Sequence, residues 1–589
     1  MNVNTDASEL STQVPSERPR EGDPGGLFGS DLIADTLRDL GVPYVALVPG
    51  SSLRGLHDSI INRLGNSAPQ MIVCLHEDAS VAIAHGYGKI TGRAMAAALH
   101  SNVGLMHAVM GIYNAYGDRA PVLLLGATGP VDAKQRRPWI DWIHCTRDQA
   151  ALIRGSVKWD DQPGSAEAAR DSVVRAKWIS ETVPKGPAYV NLEIGVQEER
   201  VDPAPRPIDV NRLSPAVHAG ADQRVVSEIA ELLSAATRPV ILMGRLSRNQ
   251  EDWAARVALA EALGAPVATS LKAGASFPTE HELHMAPPGT RLVPAAQDVV
   301  READVILSLD WIDLAGSLSV TFDGEEATAK VIHVSRDHVI HNGVHMDHQA
   351  QPSVDLFVSA DPDQLVPALV DRLPGPTRRY TDRPFSPPPE EDRFDAGQRT
   401  IHGLAAVLWE AMGDRETTLT NLPLPWHGRF WPFRHPLDYA GGDGASGIGG
   451  GPGIAVGEAL ALKGRGRLPV CICGDGDFVM GHTAIWTAVH YRLPLLFVVA
   501  NNCCYFNDVK HQAHMAESRG RQEENKWIGQ MLTEPDIDLA ALGRAQGAVG
   551  FGPVHAADDL EAIYREAIKV VDGGGVAVVD VRIKPGYAR

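Results

Sequence analysis

The chain has 589 residues, 44% of them hydrophobic and 22% charged; this is several domains' worth of ordinary globular composition, which excludes a small stapled scaffold and disorder over most of the length. With 54 Lys and Arg against 73 Asp and Glu, the net charge of −19 repels a phosphate backbone and argues against nucleic acid as a partner. Six cysteines without a Cys-x-x-Cys pair are too sparse for a disulfide framework and fit a reducing, cytoplasmic setting.

Residues 1–26 are polar and rich in Ser, Glu, Pro and Gly, with no apolar core for export, and are expected as a disordered tail. No apolar stretch elsewhere approaches the ~18 residues of a membrane span, so no membrane partner is expected. Pro-rich stretches at 201–220 and 374–396 cannot continue helices or central strands and read as linkers. They leave three blocks, 27–200, 221–373 and 397–589. Within the blocks, short apolar runs at 44–48, 122–125, 240–243, 305–309, 331–334, 470–473 and 495–500 alternate with longer amphipathic stretches such as 221–235 and 252–263. That alternation predicts an α/β protein of three successive open parallel-sheet domains, with ligand-binding turns at the carboxyl ends of the strands.

The most informative segment is Gly474-Asp475-Gly476, directly after an apolar run and followed by Asn501-Asn502 after a second one. Alone, Gly-Asp-Gly is a plain turn. Paired with two asparagines at another strand end, it offers carboxylate, amide and carbonyl oxygens for an octahedral Mg²⁺ and glycine backbone for phosphate. The combination predicts a magnesium diphosphate site.

On these motifs the sequence resembles the thiamine-diphosphate enzymes of the decarboxylase and acetolactate-synthase superfamily, from about residue 27 to 589. The resemblance implies a first domain holding the cofactor's pyrimidine, a Rossmann-like central domain and a third domain holding its diphosphate, with Gly474, Asp475, Gly476 and Asp477 at the diphosphate. It implies Mg²⁺ ligands Asp475, Asn502 and the carbonyl of Cys504. Its second anchor is His76-Glu77-Asp78-Ala79-Ser80 leading into Ala84-His85-Gly86-Tyr87-Gly88, which looks like the activating glutamate and the small-residue helix behind it. Glu77 bonded to N1′ of the aminopyrimidine favours the imino tautomer, whose 4′-nitrogen removes the C2 proton. Ala79, Ala82, Ala84, Gly86 and Gly88 suit close packing against a neighbour. The glycine-rich stretch 441–458 resembles the turn that meets the 4′-amino group through Ser446 or Gly447 and supports the cofactor from below with Ile448.

On the substrate side, Pro49-Gly50-Ser51 and His100-Ser101-Asn102-Val103-Gly104 resemble benzoylformate decarboxylases, in which the serine meets the substrate carboxylate and the histidine handles protons. The sequence also departs from the family. Asp477 stands where many members carry Ser, so it must point away, pair with a cation or act through water. The segment 304–318 lacks the second active-site histidine of benzoylformate decarboxylases. Arg136-Arg137-Pro138-Trp139-Ile140-Asp141-Trp142-Ile143-His144 has no close counterpart in the best-known members; Trp139 and Trp142 either cover an aromatic pocket or pack at an interface. His338, His341, His345 and His348 have helical spacing, but Asn342-Gly343 interrupts them and the set is nonspecific for a metal. The stretch 505–530 reads as a lid over the cofactor or as a solvated helix.

The resemblance implies a thiamine-diphosphate- and Mg²⁺-dependent enzyme acting on a 2-oxo acid, with CO₂ loss to an enamine that is protonated or captured by a second carbonyl acceptor. It implies a homodimer or homotetramer with sites between subunits. FAD in the central domain is left open, but no Gly-x-Gly-x-x-Gly follows a strand there to support it. The rivals are an acyl-CoA or C–C lyase of the same cofactor class, which needs a basic nucleotide pocket not legible here, and a catalytically silent relative.

Overall fold

The computed structural model describes residues 14–20, 22, 25–213, 220–340, 351–442 and 446–587. The first block forms a sheet of strands β1 (Tyr44–Leu47), β2 (Gln70–Val73), β3 (Met95–Leu99), β4 (Val122–Thr128), β5 (Asp160–Asp161) and β6 (Ala188–Glu193), in the order β2-β1-β3-β4-β6-β5. Helix α1 (Glu77–Thr91) joins β2 to β3 and α2 (Ser101–Gly117) joins β3 to β4. The central block forms β7 (Pro239–Met243), β8 (Val267–Thr269), β9 (Val305–Leu309), β10 (Lys330–Val334) and β11 (Leu356–Val358), ordered β11-β10-β9-β7-β8. A two-stranded ribbon of β12 (Phe394–Asp395) and β13 (Gln398–Arg399) precedes the last sheet. That sheet holds β14 (Thr417–Asn421), β15 (Leu468–Gly474), β16 (Leu495–Asn501), β17 (Val549–Val554) and β18 (Val576–Arg582), ordered β14-β15-β16-β18-β17. Its helices include α3 (Gly451–Leu462) before β15, α4 (Asp475–Gly481) after it and α5 (Phe506–Ser518) after β16.

The pairings within these three sheets are parallel, which requires helical crossovers and covers both faces. Hence strands such as Met-Ala-Ala-Ala-Leu of β3 are buried throughout rather than alternating. One core runs unbroken from the first domain into the third, joining Ile72, Ile83 and Leu99 to Val456, Phe478 and Phe497. The junction is the pair α1 and α3. A Cβ on Gly86 would lie 2.0 Å from the Ile454 carbonyl oxygen, and one on Gly457 would lie 1.9 Å from that of Ile83, so glycine lets the two backbones touch. Gly457→Ala is expected to cost about 3 kcal/mol through overpacking, read as a fall of several degrees in melting temperature; an unchanged midpoint would show that the helices part freely.

The same junction buries an awkward charge. Glu458 of α3 is fully buried and, among the described residues, neither carboxylate oxygen has a hydrogen-bond partner. Lys89 lies 3.6 Å away but sits closer, at 3.3 Å, to Asp118. Burial pushes Glu458 up to about 8, against an unfolded carboxylate near ~4.3. An acid whose folded value is raised costs nothing below its unfolded value, and the penalty grows until pH passes the folded one. Glu458→Gln is therefore expected to stabilise by about 2–4 kcal/mol at pH 8.5 and by much less at pH 5.5, with Lys89 still held by Asp118. Melting at the two pH values checks this; an equal gain at both would assign the effect to packing.

Two stretches differ from a loose tail and a loose linker. Glu17 accepts from Tyr491 at 2.9 Å and contacts His490 at 3.0 Å, tying residues 14–20 to the third domain. Glu282 accepts from Arg378 and from the Thr381 amide, and an antiparallel bridge between His281 and Asp382, with the Glu282 amide donating to the Thr381 carbonyl at 3.2 Å, pins the second Pro-rich stretch onto the central domain. Among the described residues no helix is long and apolar enough to cross a membrane.

Candidate active site

In the first domain, β2 ends at Val73 and His76 caps α1, its side chain accepting from the Asp78 amide at 3.2 Å. This puts Glu77 on the first turn, only 8% exposed. Its Oε2 lies 3.0 Å from His107 Nδ1 of α2, and the His107 ring stacks on His76 with centroids 5.0 Å apart. Gly104 leaves room for Glu77, since a Cβ there would stand 3.1 Å from Oε1. His107 was not singled out by the sequence, and His76 entered only as the first residue of the Glu77 motif.

His100 directly follows β3 and caps α2, and Ser101 follows it in the left-handed region at φ +51°. A Cβ on Gly50 would meet the His100 ring at 2.3 Å, so the Pro-Gly turn exists to seat this imidazole. The serine that holds it is Ser52, while Ser51 is exposed one residue earlier. The Ser101 amide donates to Ser52 Oγ at 3.1 Å, and Ser52 Oγ lies 2.7 Å from His100 Nδ1, with the Ser52 amide 3.4 Å from the same nitrogen. Because the Ser52 amide donates to Nδ1, that nitrogen is the acceptor, so the Ser52 hydroxyl proton also points to it and the neutral imidazole carries its proton on Nε2. Burial first, and His144 next, push His100 below its ordinary value.

The third domain brings its motif together at the ends of β15 and β16. Asp475 is buried and accepts from the amides of Gly476 at 2.9 Å and Cys504 at 3.2 Å. Among the described residues no lysine, arginine or histidine pairs with it, and burial pushes it up to about 6. The two asparagines divide their work. Asn501 is spent on structure, donating to Asp580 at 2.8 Å and accepting from the Cys503 amide at 3.1 Å. Asn502 keeps its amide at the strand end, with Oδ1 accepting from the Cys504 amide at 3.0 Å. Cys503 between them takes φ +59° and is braced by Arg582. Such strain persists only where surrounding bonds over-determine it, and it turns the chain back onto Asp475. Space above Gly474 is open, whereas a Cβ on Gly476 would strike the Tyr505 ring at 2.6 Å. Carboxylate, amide and carbonyl oxygens beside an unneutralised buried charge fit a hard divalent cation such as Mg²⁺.

Asp477 turns away from that opening. Its carboxylate accepts from the amides of Gly449 at 2.6 Å and Gly451 at 3.4 Å and from Asn421 at 3.2 Å, so it fixes the turn that starts α3. Ser446 adopts φ +58° and the Gly447 carbonyl accepts from Asn114 of α2 at 3.2 Å. Ile448 stands 47% exposed at the tip. Trp139 and Trp142 are exposed at 71% and 72%. Of the four spaced histidines, His338 packs edge-on against Phe357, while His341, His345 and His348 lie outside the described residues. The stretch 505–530 carries α5, which is mostly exposed.

Comparison with known proteins turns on three matches in order. The thiamine pyrophosphate enzyme N-terminal TPP binding domain covers residues 28–152, the central domain 226–369 and the C-terminal TPP binding domain 423–581. The chain belongs to the thiamine pyrophosphate enzyme family. Among curated members of that family it is 24% identical to the acetolactate synthase large subunit of Haemophilus influenzae, covering 92% of each chain. It is 25% identical to the benzoylformate decarboxylase of Pseudomonas aeruginosa, over 84% of this chain and 89% of that one. The crystal structure of benzoylformate decarboxylase from Polynucleobacter necessarius shares the fold with a TM-score of 0.78 at 22% identity, covering 95% of this chain and 99% of that one.

Proposed function

We propose that the protein uses thiamine diphosphate and Mg²⁺ to decarboxylate a 2-oxo acid, passing the freed carbon to a proton or to a second carbonyl. The observation that carries this reading is Asp475, a buried carboxylate held by two amides, with no cationic side chain paired to it among the described residues, beside Asn502 and the Cys504 turn. Asp475, Asn502 and the Cys504 carbonyl would hold the metal, and Gly474 with Gly476 would admit the diphosphate. Glu77 would take N1′ of the pyrimidine, with Ser446 or Gly447 at the 4′-amino group and Ile448 beneath. Bound thiamine diphosphate supplies the electron sink for carbanion chemistry. The chain's own contribution is to hold a proton at Glu77, present His100 Nε2–H toward substrate and place Ser51 at the mouth for the carboxylate. Asp477 serves the cofactor indirectly, by shaping the 446–450 turn. A partly exposed apolar stripe on α2, formed by Val103, Met106 and, beside Gly447, Met110, supports a homodimer or homotetramer with sites between subunits.

The test is CO₂ release by purified protein with thiamine diphosphate and Mg²⁺ across aliphatic and aromatic 2-oxo acids, with and without acceptor aldehydes. Simple aldehyde marks a decarboxylase and a 2-hydroxy ketone or acetohydroxy acid a carboligase; no release from any acid would overturn the reading. One observation favours a second reading, an acyl-CoA substrate. A cavity of about 680 Å³ opens at the carboxyl ends of β7, β9 and β10, lined by Arg245, Arg248, Lys272 and Arg336 as well as Asp310 and Asp337, at the point where strand order reverses. Calorimetric titration with coenzyme A, ADP and FAD decides whether this cavity takes a nucleotide.

A further inference from the structure

The segment 304–318 supplies no histidine to the site, yet a second imidazole stands against His100. The His144 ring meets the His100 ring edge-on, with centroids 4.9 Å apart and planes at 87°. His144 ends the 136–144 segment, which is docked firmly on the first turn of α2. Ser101 Oγ donates to the His144 carbonyl at 3.0 Å and Asn102 Nδ2 to the Ile143 carbonyl at 3.0 Å. The segment is braced internally by Asp141, whose fully buried carboxylate accepts from the Arg137 amide at 2.7 Å and its guanidinium at 2.9 Å. His144 Nδ1 is buried with no hydrogen-bond partner among the described residues. A polar ring atom left in this state beside a half-buried imidazole is unspent capacity rather than scaffold.

We propose that His144 is the second proton-handling group of this site, forming with His100 an imidazole pair of which one ring at a time carries the extra proton. The proposal rests on the 2-oxo acid reading. That reaction consumes one proton: a 2-oxo carboxylate plus H⁺ gives an aldehyde and CO₂, as the carbon–carboxylate bond breaks and a carbon–hydrogen bond forms. On the way, the former keto oxygen must also gain and then release a proton. A pair carrying one proton delivers at one ring while accepting at the other, which a single histidine does only by exchanging with solvent between steps. Ser52 sets the geometry by occupying His100 Nδ1, so that exchange on His100 runs through Nε2. The charged groups facing His100 are Glu77 on α1 and Arg137 and His144 of the docked segment. Two rings this close disfavour double protonation, so removing one raises the affinity of the other for a proton.

The experiment is a titration of histidine ring resonances in the full chain, bound to thiamine diphosphate and Mg²⁺, for the wild type, His144→Gln and His144→Phe. Phenylalanine keeps the ring contact without a titrating group and guards against a merely structural effect. The expected result is a His100 midpoint raised by about 0.5–1 pH unit in both variants. The acid limb of the kcat profile for aldehyde formation should move by the same amount, kcat should fall about 10–100-fold and KM should stay within about threefold. A His100 midpoint that does not move in folded His144→Phe, or a kcat within twofold of wild type, would overturn the pair. A wild type inactive on every 2-oxo acid, with the His100 shift intact, would overturn the decarboxylase reading and leave the coupled imidazoles standing.

Discussion

Glu77→Gln is expected to lower turnover by about 10³-fold or more while leaving the fold and most cofactor binding in place. Glutamine matches glutamate in size, keeps the Gly104 gap filled and retains an oxygen for His107, so the packing of α1 against α2 and α3 does not change. What it lacks is a group that holds and returns a proton at the pyrimidine nitrogen, and no other carboxylate is placed to substitute on the described face of α2. Asp78, the nearest acid, is spent on the Gly111 amide at 2.7 Å. The measurement is CO₂ release together with calorimetric cofactor affinity and the far-UV circular dichroism spectrum. Lost turnover with affinity within about tenfold separates an activating residue from a binding one. Turnover unchanged from wild type would remove Glu77 from the mechanism and favour a silent or differently built site.

Strands whose burial is two-sided were the most legible part of this chain, because a parallel sheet leaves a continuous apolar run. The runs 305–309 and 495–500 match β9 and β16 to within a residue. Motifs local in sequence were equally legible, since strand-end turns gather their ligands within a few residues, as Asn501 to Cys504 do. What the sequence hid depends on contacts between distant segments. Nothing local marks Ser52 over Ser51 as the partner of His100: both follow the same Pro-Gly, and only the 3₁₀ turn at Ser51–Leu53 decides which hydroxyl points inward. His144 was hidden for the same reason, because its approach to His100 depends on the buried Arg137–Asp141 clamp. Asp477 shows a third case. A residue that breaks a family pattern looked like a diphosphate problem, and its answer lay 26 to 28 residues upstream in the amides of Gly451 and Gly449.

Asp475→Asn should act on ligand binding and on bare stability in opposite directions. In the folded chain the Asp475 carboxylate is buried against the Gly476 and Cys504 amides with no cationic side chain paired to it among the described residues, so it carries a charge that a bound divalent ion would neutralise. Asparagine removes that charge while keeping one acceptor, so the cofactor-free variant should melt no lower than wild type, even though one amide loses its partner at a cost of about 1 kcal/mol. Loaded protein should behave differently. A ligand that binds only the folded state stabilises it by RT ln(1 + [L]/Kd), so wild type should gain several degrees with thiamine diphosphate and Mg²⁺. The variant should lose most of that gain as Mg²⁺ affinity falls by about 10²–10³-fold. The check is a melting series with cofactor alone, Mg²⁺ alone and both. Equal ligand-induced shifts in the two proteins would place the metal elsewhere; a variant that melts far lower without ligands would make Asp475 a structural brace of the Cys503 turn.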